Sequence, residues 1–214
     1  MAHDAARFTS LANRLWLFQS LEPRRHLGKG QCCLDTKGQG ACRQKKTPSA
    51  AIVDSQSVKT TQIGGQERGF DGGKLIKGRK RHIMTDTLGL LIAVLVHAAS
   101  VAEREGARRL ITRIRSRACL RALVEGLELV WADGGYSGEK MLTWVKAMVG
   151  WVWEVIKRPE AVKGFVLLPR RWVVERTFAW LSFCRRLSKD YEVKPCCSEG
   201  MIYLAMIAIT AKRC

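Results

Sequence analysis

Leu127-Glu-Leu-Val-Trp-Ala-Asp-Gly-Gly-Tyr136 is the stretch whose reading decides the fold. Its first six residues form a short apolar run rich in strand-favouring side chains. The run stops at Asp133, where Gly134 and Gly135 let the backbone turn sharply. Beyond the turn, Ser137 is a candidate N-cap for a helix over residues 138–149. Residues 151–156, Trp-Val-Trp-Glu-Val-Ile, then alternate as a second strand. A strand, a helix and a strand in that order require a sheet with helices packed on it.

The pattern extends in both directions. Ala50-Ala-Ile-Val-Asp54 is another apolar run ending in an acid, which places Asp54 at or near the carboxyl end of a buried strand. Residues 64–80 read as a Gly- and Lys-rich loop, and the basic stretch Lys74 to Arg81 holds Lys74, Lys77, Arg79, Lys80 and Arg81. Two apolar runs, 82–87 and 88–97, join near Gly89 as a hairpin. A helix follows over 103–117, acidic at its start and basic towards its end, with Ala107, Leu110, Ile111 and Ile114 on one face. A long helix over 171–186 and a last, mostly apolar helix over 199–212 complete the order. The fold class is α/β, a mixed sheet flanked by helices. Residues 1–47 read differently. One short apolar helix over 11–21 gives way to a Gly-, Gln- and Cys-rich stretch without periodicity, so a short irregular N-terminal arm is expected before a domain spanning 48–214.

Charge narrows the function. The 37 Lys and Arg outnumber 19 Asp and Glu, for a net charge of +18, and such an excess predicts a polyanionic partner. A membrane surface is disfavoured, because the basic residues are spread along the chain rather than gathered on one amphipathic segment. The apolar run 88–99 is too short to span a bilayer. Eight cysteines occur without a Cys-x-x-Cys pair and without grouped histidines, which argues against zinc and for free thiols in a reducing cytoplasm. Gly-x-Ser-x-Gly is absent, so serine-hydrolase chemistry is rejected.

Three acids stand out. Asp54 and Asp133 each follow an apolar strand, at the sheet edge where α/β proteins bind ligands. Each also reads as a turn cap. Glu175 lies four residues after Arg171 in a basic helix that also carries Trp172, Arg176, Phe178 and Trp180. It reads as an ordinary i,i+4 surface pair, or as a buried acid that needs a reason to be there. The basic stretch and Arg185 with Arg186 read as solvated charge or as phosphate contacts. Taken together, three carboxylates in a strongly basic chain suit metal-dependent cutting of nucleic acid. The carboxylates hold divalent cations and the basic surface holds the phosphates.

These residues carry a resemblance. The chain resembles the DDE-class transposases of bacterial insertion sequences, most closely the insertion-sequence-five group. The matching segments are 48–61 around Asp54, Lys77-Gly-Arg-Lys-Arg-His-Ile83, Asp86-Thr-Leu-Gly-Leu90, Val96-His-Ala-Ala99, Ala132-Asp-Gly-Gly-Tyr-Ser-Gly138, 164–181 around Glu175, and 184–192. The resemblance implies a ribonuclease-H-like core with Asp54, Asp133 and Glu175 as catalytic and metal-holding acids, two Mg²⁺ ions (Mn²⁺ substituting), and Arg171 as the basic member of the signature. It further implies cleavage at element ends, strand transfer into target DNA, double-stranded DNA as partner, and a homodimer on that DNA in the bacterial cytoplasm. Lys74, Lys77, Arg79, Lys80, Arg81, Arg171, Arg176, Arg185 and Arg186 are the expected DNA contacts. Where the group's signature carries a Tyr before the Arg and a Lys after the Glu, this chain has Leu168 and Ser182, leaving Arg185 and Arg186 to supply that contact. Relatives begin with a longer helix-turn-helix-like region, so the start is expected to be truncated. Two rival readings are a catalytically idle DNA-binding remnant and a non-enzymatic basic RNA-binding protein.

Overall fold

The computed structural model describes residues 47–156 and 170–212. The expected arm over 1–47, its short helix, and Leu168 lie outside the described residues, save for Thr47. Six strands form one sheet: β1 (Ala50–Lys59), β2 (Gly69–Asp71), β3 (Ile76–Asp86), β4 (Leu91–Ala98), β5 (Leu129–Ala132) and β6 (Val152–Val155). Their order is β2-β3-β1-β5-β6, with β4 also paired to β3. β1, β3 and β4 are antiparallel neighbours, whereas β1, β5 and β6 run parallel, so the sheet is mixed as expected.

Period-two alternation gives the sheet two apolar faces. Val53, Met84, Ala93 and Val130 face one core, shared with α1 (Glu103–Ser116), α2 (Ala118–Leu123) and α3 (Glu139–Val149). Their chain neighbours Ile52, Ile83, Val94 and Trp131 face the other, beneath α4 (Trp172–Ser182) and α5 (Pro195–Ala211). The edge strand β6 shows the same logic: Trp153 is buried between exposed Val152 and Glu154. In α1, Leu110, Ile111 and Ile114 are buried as the spacing predicts. Glu103 and Glu105 in the first turn and Arg113 and Arg115 in the last complement the helix dipole. At the hairpin tip Gly89 takes φ +84 and packs against α4, where the Thr177 hydroxyl donates to its carbonyl at 2.9 Å.

Several boundaries differ from the sequence reading, each for a physical reason. The basic stretch is loop only as far as a turn over residues 72–75 that holds Lys74: β3 starts at Ile76 and carries Lys77 to Arg81 as strand. Strand order won there because the cations find partners inside the protein. Arg79, fully buried, donates to Asp190 Oδ1 at 3.1 Å and to the carbonyls of Gln66, Glu192 and Val193. Arg81 donates to the carbonyls of Leu187 and Lys189, and Lys80 to Val101 O and Glu103. Ser137 does not cap α3; Gly138, at φ +126, occupies that place after a 3-10 turn at Gly134–Tyr136. The helix expected over 171–186 ends at Ser182, and a separate 3-10 turn follows at Arg185–Leu187. α5 starts earlier than expected, with Pro195 at its first position, where a missing N–H costs nothing. The short α2 was not anticipated. No described helix is long and apolar enough to cross a membrane.

Candidate acidic site

Asp54 lies mid-strand in β1 rather than at its end, but the parallel partner β5 stops beside it. The last paired residues are Ile52 and Trp131, so two steps further along both strands stand Asp54 and Asp133. One oxygen of each serves the backbone. Asp54 Oδ1 accepts from Ser55 N–H at 2.7 Å, and Asp133 Oδ1 caps the 3-10 turn by accepting from Gly135 N–H at 2.8 Å. The turn-cap reading of Asp133 is therefore correct for that oxygen. The other oxygens face Arg171.

Arg171 Nη2 lies 3.8 Å from Asp54 Oδ2, 3.8 Å from Asp133 Oδ2 and 3.5 Å from Glu175 Oε1. Three carboxylates from β1, from the turn after β5, and from α4 thus share one guanidinium nitrogen, and each pair is separated by at most two such contacts. Glu175 is half exposed, which agrees with its surface-pair reading rather than the buried one, because α4 is amphipathic: Val173, Val174, Thr177, Phe178 and Leu181 are buried. The i,i+4 pair with Arg171 is present, yet it belongs to a larger cluster.

Burial, then the charge of Asp133, raises the Asp54 carboxyl to about 6; the Ser55 N–H, Arg171 and Lys74 oppose that rise. A carboxylate held this way gains from any further cation. Among the described residues no three His, Cys, Asp or Glu groups already stand as a metal-binding cluster. The donor chemistry nevertheless fits a hard divalent ion, since three oxygen ligands surround one cationic position. Asp54, Asp133 and Glu175 are the residues that could hold it.

The expected DNA contacts divide. Lys74 and Lys77 are exposed, and Lys74 Nζ lies 3.5 Å from Ser55 O, beside the acids. Arg185 and Arg186 are exposed on the turn after α4, with Arg186 paired to Glu192 at 2.6 Å. Arg176 lies between the Trp172 and Trp180 rings, at 4.4 and 4.6 Å, and donates to Leu88 O. Arg79, Lys80 and Arg81 are buried and internally bonded, so their reading as phosphate contacts is corrected: they fasten β3 to the segments around Gln66, Val101 and 187–193. Ser182, at the family's Lys position, donates to Ala179 O and carries no charge.

Sequence reasoning assigned no role to a buried chain behind the acids. The Tyr136 hydroxyl lies 2.8 Å from His82 Nε2, His82 Nδ1 lies 2.9 Å from His97 Nε2, and His97 Nδ1 lies 2.9 Å from Ala98 O. A carbonyl only accepts, so His97 Nδ1 carries its proton, His82 donates from Nδ1, and Tyr136 donates to His82 Nε2. Burial and the adjacent His97 hold His82 well below the usual imidazole range, while burial and Asp54 push the Tyr136 phenol well up. The one available signal was that His82, His97 and Tyr136 all fall in the recognised segments.

Two comparisons bear on this arrangement. The model of the family described as "Transposase DDE domain" matches residues 45–209. A protein of Burkholderia cepacia described as a putative transposase for insertion sequence element IS402 is 34% identical over 116 residues, which is 54% of this chain and 54% of that protein. The match thus spans about half the length of that curated relative.

Proposed function

The chain belongs to the DDE-domain transposases, and on that premise we propose that it cuts DNA at insertion-sequence ends and joins those ends to target DNA. Asp54, Asp133 and Glu175 are the acids of the reaction in this reading, and 48–214 is the catalytic unit with a ribonuclease-H-like fold. The observation that carries it is the convergence of these three carboxylates on Arg171. One sits on β1, one just past the end of its parallel neighbour β5, and the third reaches in from helix α4, an arrangement that serves to gather cations at one point.

Divalent cations, Mg²⁺ with Mn²⁺ substituting, would neutralise phosphodiester charge there and activate the attacking oxygen. The chain's own groups do the rest. Asp133 is oriented by the Gly135 N–H and Asp54 by the Ser55 N–H, so neither needs to reorganise when a substrate arrives. Arg171, displaced from the acids, is placed to reach a phosphate with its guanidinium fork. Lys74, Lys77, Arg185 and Arg186 hold the flanking strand by charge. In cleavage a water oxygen bonds to phosphorus as the bond to the 3′ oxygen breaks, releasing a 3′-hydroxyl. In joining, that hydroxyl attacks a target phosphodiester in line and displaces its 3′ oxygen. Handling two ends calls for a homodimer on DNA.

The test is Mg²⁺- or Mn²⁺-dependent nicking of duplex carrying the element's ends, comparing the parent with Glu175→Gln. The parent should cut, and the variant should lose at least about a hundredfold, more than outer-shell metal partners cost. No cutting by the parent, with salt-sensitive DNA binding retained, would establish an idle DNA-binding remnant instead.

A further inference from the structure

α1 carries five arginines, Arg104, Arg108, Arg109, Arg113 and Arg115, and no lysine, with Arg117 at its C-cap. Arg108, Arg109, Arg113 and Arg117, with the hydroxyls of Thr112 and Ser116, line an open trough of about 410 Å³ along the helix. An ordinary solvated face mixes signs and leaves its long side chains loose. Here, among the described residues, Glu105 is the only acid lining the trough and is already paired with Arg109 at 2.9 Å. Three of the guanidinium groups on α1 are also tethered. Arg108 lies over the Trp144 ring at 5.6 Å, Arg113 pairs with Glu199 at 2.6 Å and donates to Val94 O, and Arg115 reaches Met148 Sδ. Tethered arginines lose less entropy on gripping a phosphate, and their planar forks match its oxygens.

The helix is also aimed. A methyl at Gly138 would lie 3.3 Å from Arg104 Nη1, and one at Gly135 would lie 3.6 Å from Glu103, so α1 begins beside the turn that leaves Asp133. Its 14 residues then run about 21 Å away from the acids, a length matching about six phosphates of one strand. We propose that α1 is a second DNA-backbone track, which grips duplex beyond the acidic site through the trough around Arg109 and Arg117. This deepens the reading of the chain as a DNA-acting protein and rests on it. None of the α1 arginines was among the contacts expected from sequence.

The experiment measures affinity for a plain duplex across a salt series in EDTA, so that no cutting is involved. The proteins are the parent, Arg109→Ala with Arg117→Ala, Thr112→Glu, and Lys146→Ala with Lys212→Ala as a charge-matched control away from the trough. Each lost phosphate contact lowers the slope of log K against log salt by about 0.9, so the arginine pair should lower it by roughly 1–2. The control should keep the parent slope, and Thr112→Glu should weaken binding severalfold with an unchanged circular-dichroism spectrum. Parent-like slope and affinity in both trough variants would overturn the proposal, as would an equal slope loss in the control. A protein that shows the slope loss yet never nicks keeps this inference and loses the catalytic one. One that nicks with an unaltered slope does the reverse.

Discussion

Asp54 is the residue where burial and like charge meet. Its carboxyl is raised from an ordinary 3.8 to about 6 by burial and by Asp133. Between those values the folded chain keeps a proton that the unfolded chain has released, so the native state loses stability as pH rises through the interval, and the full cost is present above pH 6. Asp54→Asn should therefore stabilise the chain at pH 8 in EDTA by on the order of 1–3 kcal/mol. The gain should fade towards pH 4, read as denaturant midpoints at both pH values. Mg²⁺ should raise the parent's midpoint and leave that of Asp54→Asn nearly unmoved, because an ion bound only by the folded state stabilises it by mass action. At this scale the acids themselves were legible, since Asp54 and Asp133 each close an apolar run and Glu175 sits in the recognised helix. Arg171 was legible as the i,i+4 partner of Glu175 and as the basic member of the signature. Its reach to both aspartates depends on where α4 packs.

At the scale of elements, local preference and packing sometimes disagree. Gly106 lies inside α1, where alanine is the better helix former by about 1 kcal/mol. A methyl there would come within 2.3 Å of His82 Cε1 and 2.7 Å of His97 Nε2. Glycine lets the helix lie against the imidazole pair that holds Tyr136. Gly106→Ala should thus destabilise, by about 1–3 kcal/mol in a denaturant titration, as overpacking does. A stabilised variant would mean that α1 stands further from the sheet. β3 shows the same conflict in the opposite direction: the Gly- and Lys-rich residues up to Lys80 read as loop, yet from Ile76 a strand forms because buried carbonyls and Asp190 satisfy its cations. Periodicity sees neighbours in sequence. It cannot see carbonyls more than a hundred positions away.

For the whole molecule, the buried Arg79–Asp190 pair joins the centre of the sheet to the chain after α4, and Ser198 of α5 donates to the second Asp190 oxygen at 2.8 Å. Removing the acid leaves a buried guanidinium with carbonyl partners alone. Asp190→Ala should therefore cost about 3–5 kcal/mol, read from thermal or chemical unfolding. Sequence alone determined the broad alternation of strands and helices, the family resemblance, and the acids that follow apolar runs. All of these are written in residues within a few positions of one another. Tertiary structure alone decided that three carboxylates meet at one guanidinium, that Arg79, Lys80 and Arg81 turn inward, and that α1 aims its arginines away from the acids. These outcomes depend on strand register and on which helix packs over which face, and distant segments set both by the burial they achieve together.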